Sequence, residues 1–101
     1  MSVHATNTFT TSPGQAGALV RTLRQVLPHT LTHGGCEEIR IWCDQDDPDS
    51  VVSLTRWATR ADYEAYLAWR DDTGDTATFR GMLVKPMEVR YYDEVFVTAA
   101  P

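Results

Sequence analysis

The 101-residue sequence predicts an α+β fold: a ferredoxin-like split β-α-β-β-α-β arrangement, with an antiparallel sheet carrying its helices on one side. Segments of period-two hydropathy and segments of helical period follow one another in that order. An acidic turn, Gln45-Asp46-Asp47-Pro48-Asp49-Ser50, joins two alternating segments directly, as in a hairpin. Helix starts at Ser12 and Thr59 come immediately after alternating segments.

Val3 to Thr11 is Thr-rich and alternating, with Val3, Ala5, Asn7 and Phe9 on its more apolar face. Ser12-Pro13-Gly14-Gln15 has the pattern of a capping box with proline in the first turn. The helix that follows runs to about Leu31 with an apolar stripe of Ala16, Leu19, Val20, Leu23, Val26, Leu27 and Leu31. Pro28 is expected to kink it or end its regular part, and Gly34-Gly35 to stop it. Cys36 to Asp44 and Val51 to Trp57 are the second and third strands. Thr59 caps a second helix ending near Asp71-Asp72-Thr73-Gly74. A short helical segment with Phe79, Met82 and Leu83 on one side precedes Lys85-Pro86, and Met87 to Val97 reads as a long last strand.

One domain spanning residues 1–101 is expected at this length. The net charge of −5, without a Lys/Arg cluster, argues against a nucleic-acid partner, because phosphate binding needs a basic face. No apolar run approaches the ~20 residues that cross a bilayer. The first residues lack the pattern of a signal peptide, so a cytoplasmic location and no membrane partner are expected. Cys36 and Cys43 fall on one strand about 23 Å apart, too far to bridge, and read as free packing thiols. The acidic turn lacks the glycine and distal glutamate of a calcium loop. His29 and His33 are spaced to clamp a metal but suggest no third ligand, so no metal site is expected.

The chemistry gathers where the third strand meets the second helix. Ser53, Thr55 and Trp57 share one strand face, and Tyr63, Tyr66 and Trp69 follow at helical spacing. If that strand face points at the helices, Trp57 is either a flat wall for an aromatic substrate or a plain core residue. Asn7 is a polar group on an apolar face; its amide either holds a substrate oxygen or bonds a neighbouring backbone. A phenol with pKa ~10 is a poor base and a good donor, so Tyr63 and Tyr66 either orient a substrate oxygen or cover the core. Ser53, Tyr66, Trp69 and Phe9 are counted as candidate substrate-binding residues, with helix packing as the other role for Trp69.

In the order and spacing of its motifs the chain resembles the antibiotic biosynthesis monooxygenase (ABM) family of dimeric α+β barrels. Pro13-Gly14 resembles the family's Pro-Gly turn, and Gly34-Gly35-Cys36-Glu37-Glu38-Ile39 its approach to the second strand. Asp44 to Pro48 resembles its Asp-rich hairpin. Trp57-Ala58-Thr59 with Tyr63-Glu64-Ala65-Tyr66 resembles its Trp-x-Ser segment and aromatic helix, and Leu83-Val84-Lys85-Pro86 the segment before its last strand.

The resemblance implies a homodimer and cofactor-independent oxygenation of polycyclic phenols or anthrones to quinones. The partners would be an aromatic small molecule and O₂, with Asn7, Trp57 and Tyr63 as catalytic residues and no cofactor. Two positions depart from the pattern. Ser53 stands where quinone-forming members carry asparagine, and Tyr66 and Leu67 stand where many members carry histidine. The second departure removes the natural haem ligand. The expected function is therefore a monooxygenase acting on a polyketide-like aromatic intermediate of secondary metabolism. A polyketide cyclase and a non-catalytic ligand-binding protein are the alternatives on the same scaffold.

Overall fold

The computed structural model describes residues 2–101. Strand β1 (Val3–Thr10) is followed by helix α1 (Ala16–Thr30), strands β2 (Cys36–Cys43) and β3 (Ser50–Trp57), helices α2 (Arg60–Thr73) and α3 (Asp75–Arg80), and strand β4 (Glu88–Asp93). The sheet order is β2-β3-β1-β4, with every neighbouring pair antiparallel. This is the ferredoxin-like arrangement that the order of segments predicts.

Alternation decides which side of the sheet faces the helices. Ala5, Phe9, Val51 and Trp57 are buried on one face together with Asn7, Ser53 and Thr55. Two clusters of apolar groups form there. Trp57 and Ala5 pack with Tyr63 and Tyr66 of α2, and Phe9 and Val51 pack with Leu19 and Leu23 of α1. Thus the strand face carrying Ser53, Thr55 and Trp57 is the inner one. Gly35 positions this junction from outside. It sits at φ +93°, a Cβ there would lie 2.6 Å from Asp62 Cβ, and its carbonyl accepts from the Ala58 amide at 2.8 Å. Only glycine lets the loop approach the first turn of α2 so closely.

Several expectations change. Ser12 does not cap α1: its carbonyl accepts from the Gln15 amide at 3.0 Å, and Gly14 takes φ +80°. Ser12–Gln15 is therefore a turn, and the helix begins at Ala16 without a side-chain cap. By contrast, Thr59 caps α2 by accepting from the Asp62 amide at 3.1 Å, and left-handed Gly74 closes that helix. Pro28 is tolerated inside the last turn of α1, where its missing donor costs one bond. Leu31 leaves the apolar stripe and is half exposed, because the helix has already ended. Helix α3 stops at Arg80, so Met82 and Leu83 reach the core from a turn.

Strand β4 ends at Asp93, not Val97. Asp93 pairs with Val3, the first residue of β1, so the ladder has no partner strand further on. Val95, Phe96 and Val97 are consequently exposed. Both cysteines are free, as expected, but Cys43 is exposed at the end of an edge strand and does not pack; Cys36 is half-buried and its thiol pKa is pushed up by burial. Among the described residues no helix is long and apolar enough to cross a membrane.

Candidate active site

A cavity of about 520 Å³ lies between the inner sheet face and the helices, within the range of small-molecule sites. Asn7, Phe9, Ser53 and Thr55 form its floor from β1 and β3. Leu23, Leu27 and Thr30 line it from α1, and Tyr63, Tyr66, Leu67 and Arg70 from α2. Phe79, Leu83 and Met87 close the side opposite, and the exposed residues Asp71, Arg80 and Lys85 stand where it meets solvent. The walls are mainly hydrocarbon and aromatic, so the few polar groups inside are conspicuous.

The first polar group is an amide held by a phenol. Tyr63 Oη donates to Asn7 Oδ1 at 2.7 Å between buried groups. The Asn7 carbonyl oxygen is thereby occupied, and its NH₂ has no protein partner among the described residues. Ser53 lies directly across the ladder, as Asn7 and Ser53 are register partners. Ser53 is buried and lines the same cavity, and its hydroxyl likewise has no protein partner among the described residues. Two donors therefore sit side by side on the cavity floor. Burial pushes the Tyr63 phenol well above its ordinary pKa, and the bond to Asn7 offsets this only in part. Tyr63 is thus a fixed donor at neutral pH and not a base.

The second polar group is a buried arginine. Arg70 is only 6% exposed. Its Nε donates to Tyr66 Oη at 2.9 Å, and one terminal nitrogen donates to Thr30 Oγ1 and to the Val26 carbonyl, both at 2.9 Å. The other terminal nitrogen pairs with Asp75 at 2.6 Å. Thr30 Oγ1 and Tyr66 Oη also share a hydrogen bond of 2.9 Å.

Of the residues expected at the site, Asn7, Phe9, Ser53, Tyr63 and Tyr66 come together around this cavity. Trp57 does not line it. It has no exposed surface, its indole N–H donates to Thr55 Oγ1 at 2.8 Å, and its ring packs against Tyr63 and Tyr66 at 5.2 and 5.1 Å. Trp57 stands behind the cavity wall, because as the last residue of β3 it lies beneath the first turns of α2. Trp69 is also outside: it is 39% exposed and packs on His33 and the Arg70 guanidinium. Being three residues beyond Tyr66, it turns towards the loop after α1. Thr30 and Arg70 are the residues the sequence reading passed over. Both carried a signal: Thr30 falls at the spacing of the Leu23–Leu27 stripe, and Arg70 at seven residues from Tyr63. His4, His29 and His33 belong to no group of side chains able to hold a metal among the described residues.

No curated protein matches the chain in sequence. Its fold is close to that of several solved structures. A conserved protein from Methanosarcina mazei Go1 superposes with a TM-score of 0.82 at 13% identity, over 94% of both chains. A structure described as an antibiotic biosynthesis monooxygenase gives 0.79 at 18% identity, over 92% of this chain and 98% of its own. Rv0793 from Mycobacterium tuberculosis gives 0.74 at 19% identity, over 98% of this chain and 100% of its own. At these identities the likeness is one of fold. The sequence match is more specific: the model of the antibiotic biosynthesis monooxygenase family covers residues 2–71, which include both strands of the cavity floor and the aromatic helix up to Asp71. The chain belongs to the antibiotic biosynthesis monooxygenase family.

Proposed function

We propose that this protein is a cofactor-independent monooxygenase acting on a polycyclic phenol or anthrone. The observation that carries the reading is the pair of unpartnered donors, Asn7 NH₂ and Ser53 hydroxyl, on the floor of a cavity whose walls are mainly hydrocarbon and aromatic. Such donors stabilise negative charge that develops on a substrate oxygen, and they act most strongly where water is excluded. A substrate whose enolate oxygen rests there is easier to deprotonate at carbon. The resulting carbanion gives up electrons to O₂. One oxygen atom bonds to the carbon and the other leaves as water, so a CH₂ group becomes a carbonyl. Tyr63 holds the Asn7 amide in the orientation that presents its NH₂, and Trp57 supports Tyr63 and Tyr66 from behind.

We also infer a homodimer. The sheet face opposite the helices carries the partly exposed side chains of Val52, Leu54, Trp42 and Tyr92 among polar ones such as Thr6 and Arg40, and a second copy would cover these apolar groups.

The test is oxygen uptake by metal-stripped protein given an anthrone, without flavin or nicotinamide. Protein-dependent uptake with quinone formation is expected. Saturable binding without uptake would overturn the oxygenase reading and leave a cyclase or a ligand-binding protein.

A further inference from the structure

The buried apolar groups of the inner sheet face fall into two separate clusters, and the rung formed by Asn7 and Ser53 lies between them. On one side Ala5 faces Thr55 and packs with Trp57, Tyr63 and Tyr66. On the other side, about 7 Å further along the strands, Phe9 faces Val51. The cavity reaches from the polar rung over Phe9. Its lobe there is lined by Phe9 of β1, Leu23 and Leu27 of α1, Phe79 of α3, and Leu83 and Met87 of the segment before β4. These six side chains belong to one apolar cluster. The rings of Phe9 and Phe79 lie 6.5 Å apart, tilted by 54°. Leu83 is bridged to Thr11, and Met87 immediately precedes Glu88, which pairs with Thr8, so both are fixed against this end of β1. Arg70 also lines the cavity, but its donors are taken up by Asp75, Tyr66 and Thr30, while Arg80 and Lys85 are exposed.

We propose that the lobe over Phe9 is a hydrocarbon subsite that sets the direction in which the ligand lies. The substrate oxygen rests on Asn7 and Ser53, and the ring furthest from it rests among Phe9, Leu27, Phe79 and Met87. This deepens the reading of the cavity as an aromatic site and rests on that reading. A carbon–hydrogen edge gains by leaving water for such a lobe. A hydroxyl placed there loses its hydrogen bonds to water and meets side chains that cannot replace them. The ligand class is then a fused-ring phenol or anthrone with its oxygens gathered at one end and with hydrogen or a short alkyl group at the other. Phe79 and Met87 are specificity-determining residues in this arrangement, because they face the ligand end that carries no oxygen.

The experiment compares three probes that differ only at the far end: 2-naphthol, 6-methyl-2-naphthol and 2,6-dihydroxynaphthalene. Affinities are read by titration calorimetry on the full chain at pH 7. The wild-type protein should bind the methyl compound about fourfold more tightly than 2-naphthol, the usual gain for one buried carbon. It should bind the dihydroxy compound about tenfold more weakly, as for a hydroxyl buried without a partner. Met87→Gln keeps the length of the side chain and places an amide in the lobe, so it should remove the penalty on the second hydroxyl. Phe79→Ala takes away one wall and should remove the advantage of the methyl group; α3 has no buried residue, so this variant keeps the fold if Met87→Gln does not. Equal or tighter binding of the dihydroxy compound by the wild type would overturn the subsite while leaving the aromatic cavity intact. Discrimination that neither variant alters would overturn its assignment to this lobe. Binding of none of the probes would overturn both readings.

Discussion

Tyr63 donates its phenol proton to the side-chain carbonyl of Asn7 at 2.7 Å, across 56 positions of sequence. The bond joins α2 to β1 beneath the cavity and fixes which end of the amide faces inward. Removing either residue should therefore act on both stability and the proposed chemistry, but in different proportion.

Asn7→Ala deletes the donor itself. It should lower anthrone-dependent oxygen uptake about 100-fold, as loss of one preorganised oxyanion donor does. Tyr63→Phe leaves the amide in place but free to turn, and should cost only about tenfold. Initial rates in an oxygen electrode separate the two; equal losses would mean that Tyr63 itself touches the reacting atoms.

Burial of Tyr63 also makes stability depend on alkaline pH. Its phenol pKa is raised above the ordinary value of 10.0 in the folded protein. The folded state therefore holds the proton after the unfolded chain has lost it. The contribution is fully present below pH 10 and is lost as pH rises from there towards the folded value. Urea midpoints measured between pH 8 and pH 11 should fall more steeply for the wild type than for Tyr63→Phe.

Trp57→Phe tests a residue that stands behind the site. The substitution removes the indole donor to Thr55 Oγ1 and leaves space in the cluster with Tyr63 and Tyr66. Stability should drop by about 1–3 kcal/mol in chemical denaturation. Affinity for 2-naphthol should stay within about twofold, since no atom of Trp57 lines the cavity. A large loss of affinity with stability unchanged would return Trp57 to the wall.

The uncovered sheet face makes a prediction about assembly. The chain mass is 11.4 kDa, and the wild type should sediment at twice that value. Leu54→Lys places a charge at the centre of the face, on β3 opposite Thr6 and Arg40. It should yield a folded monomer with an unchanged far-ultraviolet circular dichroism spectrum. A wild-type monomer would remove the dimer from the proposal.

The alternating runs and the amphipathic helix patterns specify the split β-α-β-β-α-β order, because periods of 2 and 3.6 are local properties of the chain. Thr59 as a cap was legible for the same reason. Ser12 was not: a capping box and a Ser-Pro-Gly turn share the same residues, and only the contact of Ser12 with Met82 in another segment selects the turn. The end of β4 at Asp93 was equally out of reach, since it depends on where β1 begins to pair. Asn7, Ser53 and Tyr63 were nameable from their residue types and faces. That Asn7 and Ser53 stand opposite each other, with Tyr63 on the amide, is a matter of register and helix docking. Trp57 shows the limit most clearly: its strand face could be read from alternation, but its depth behind Thr55 and the tyrosines could not. Thr30, Tyr66 and Arg70 meet only because α1 and α2 pack on one face of the sheet, and long-range packing of that kind leaves no local period in the sequence.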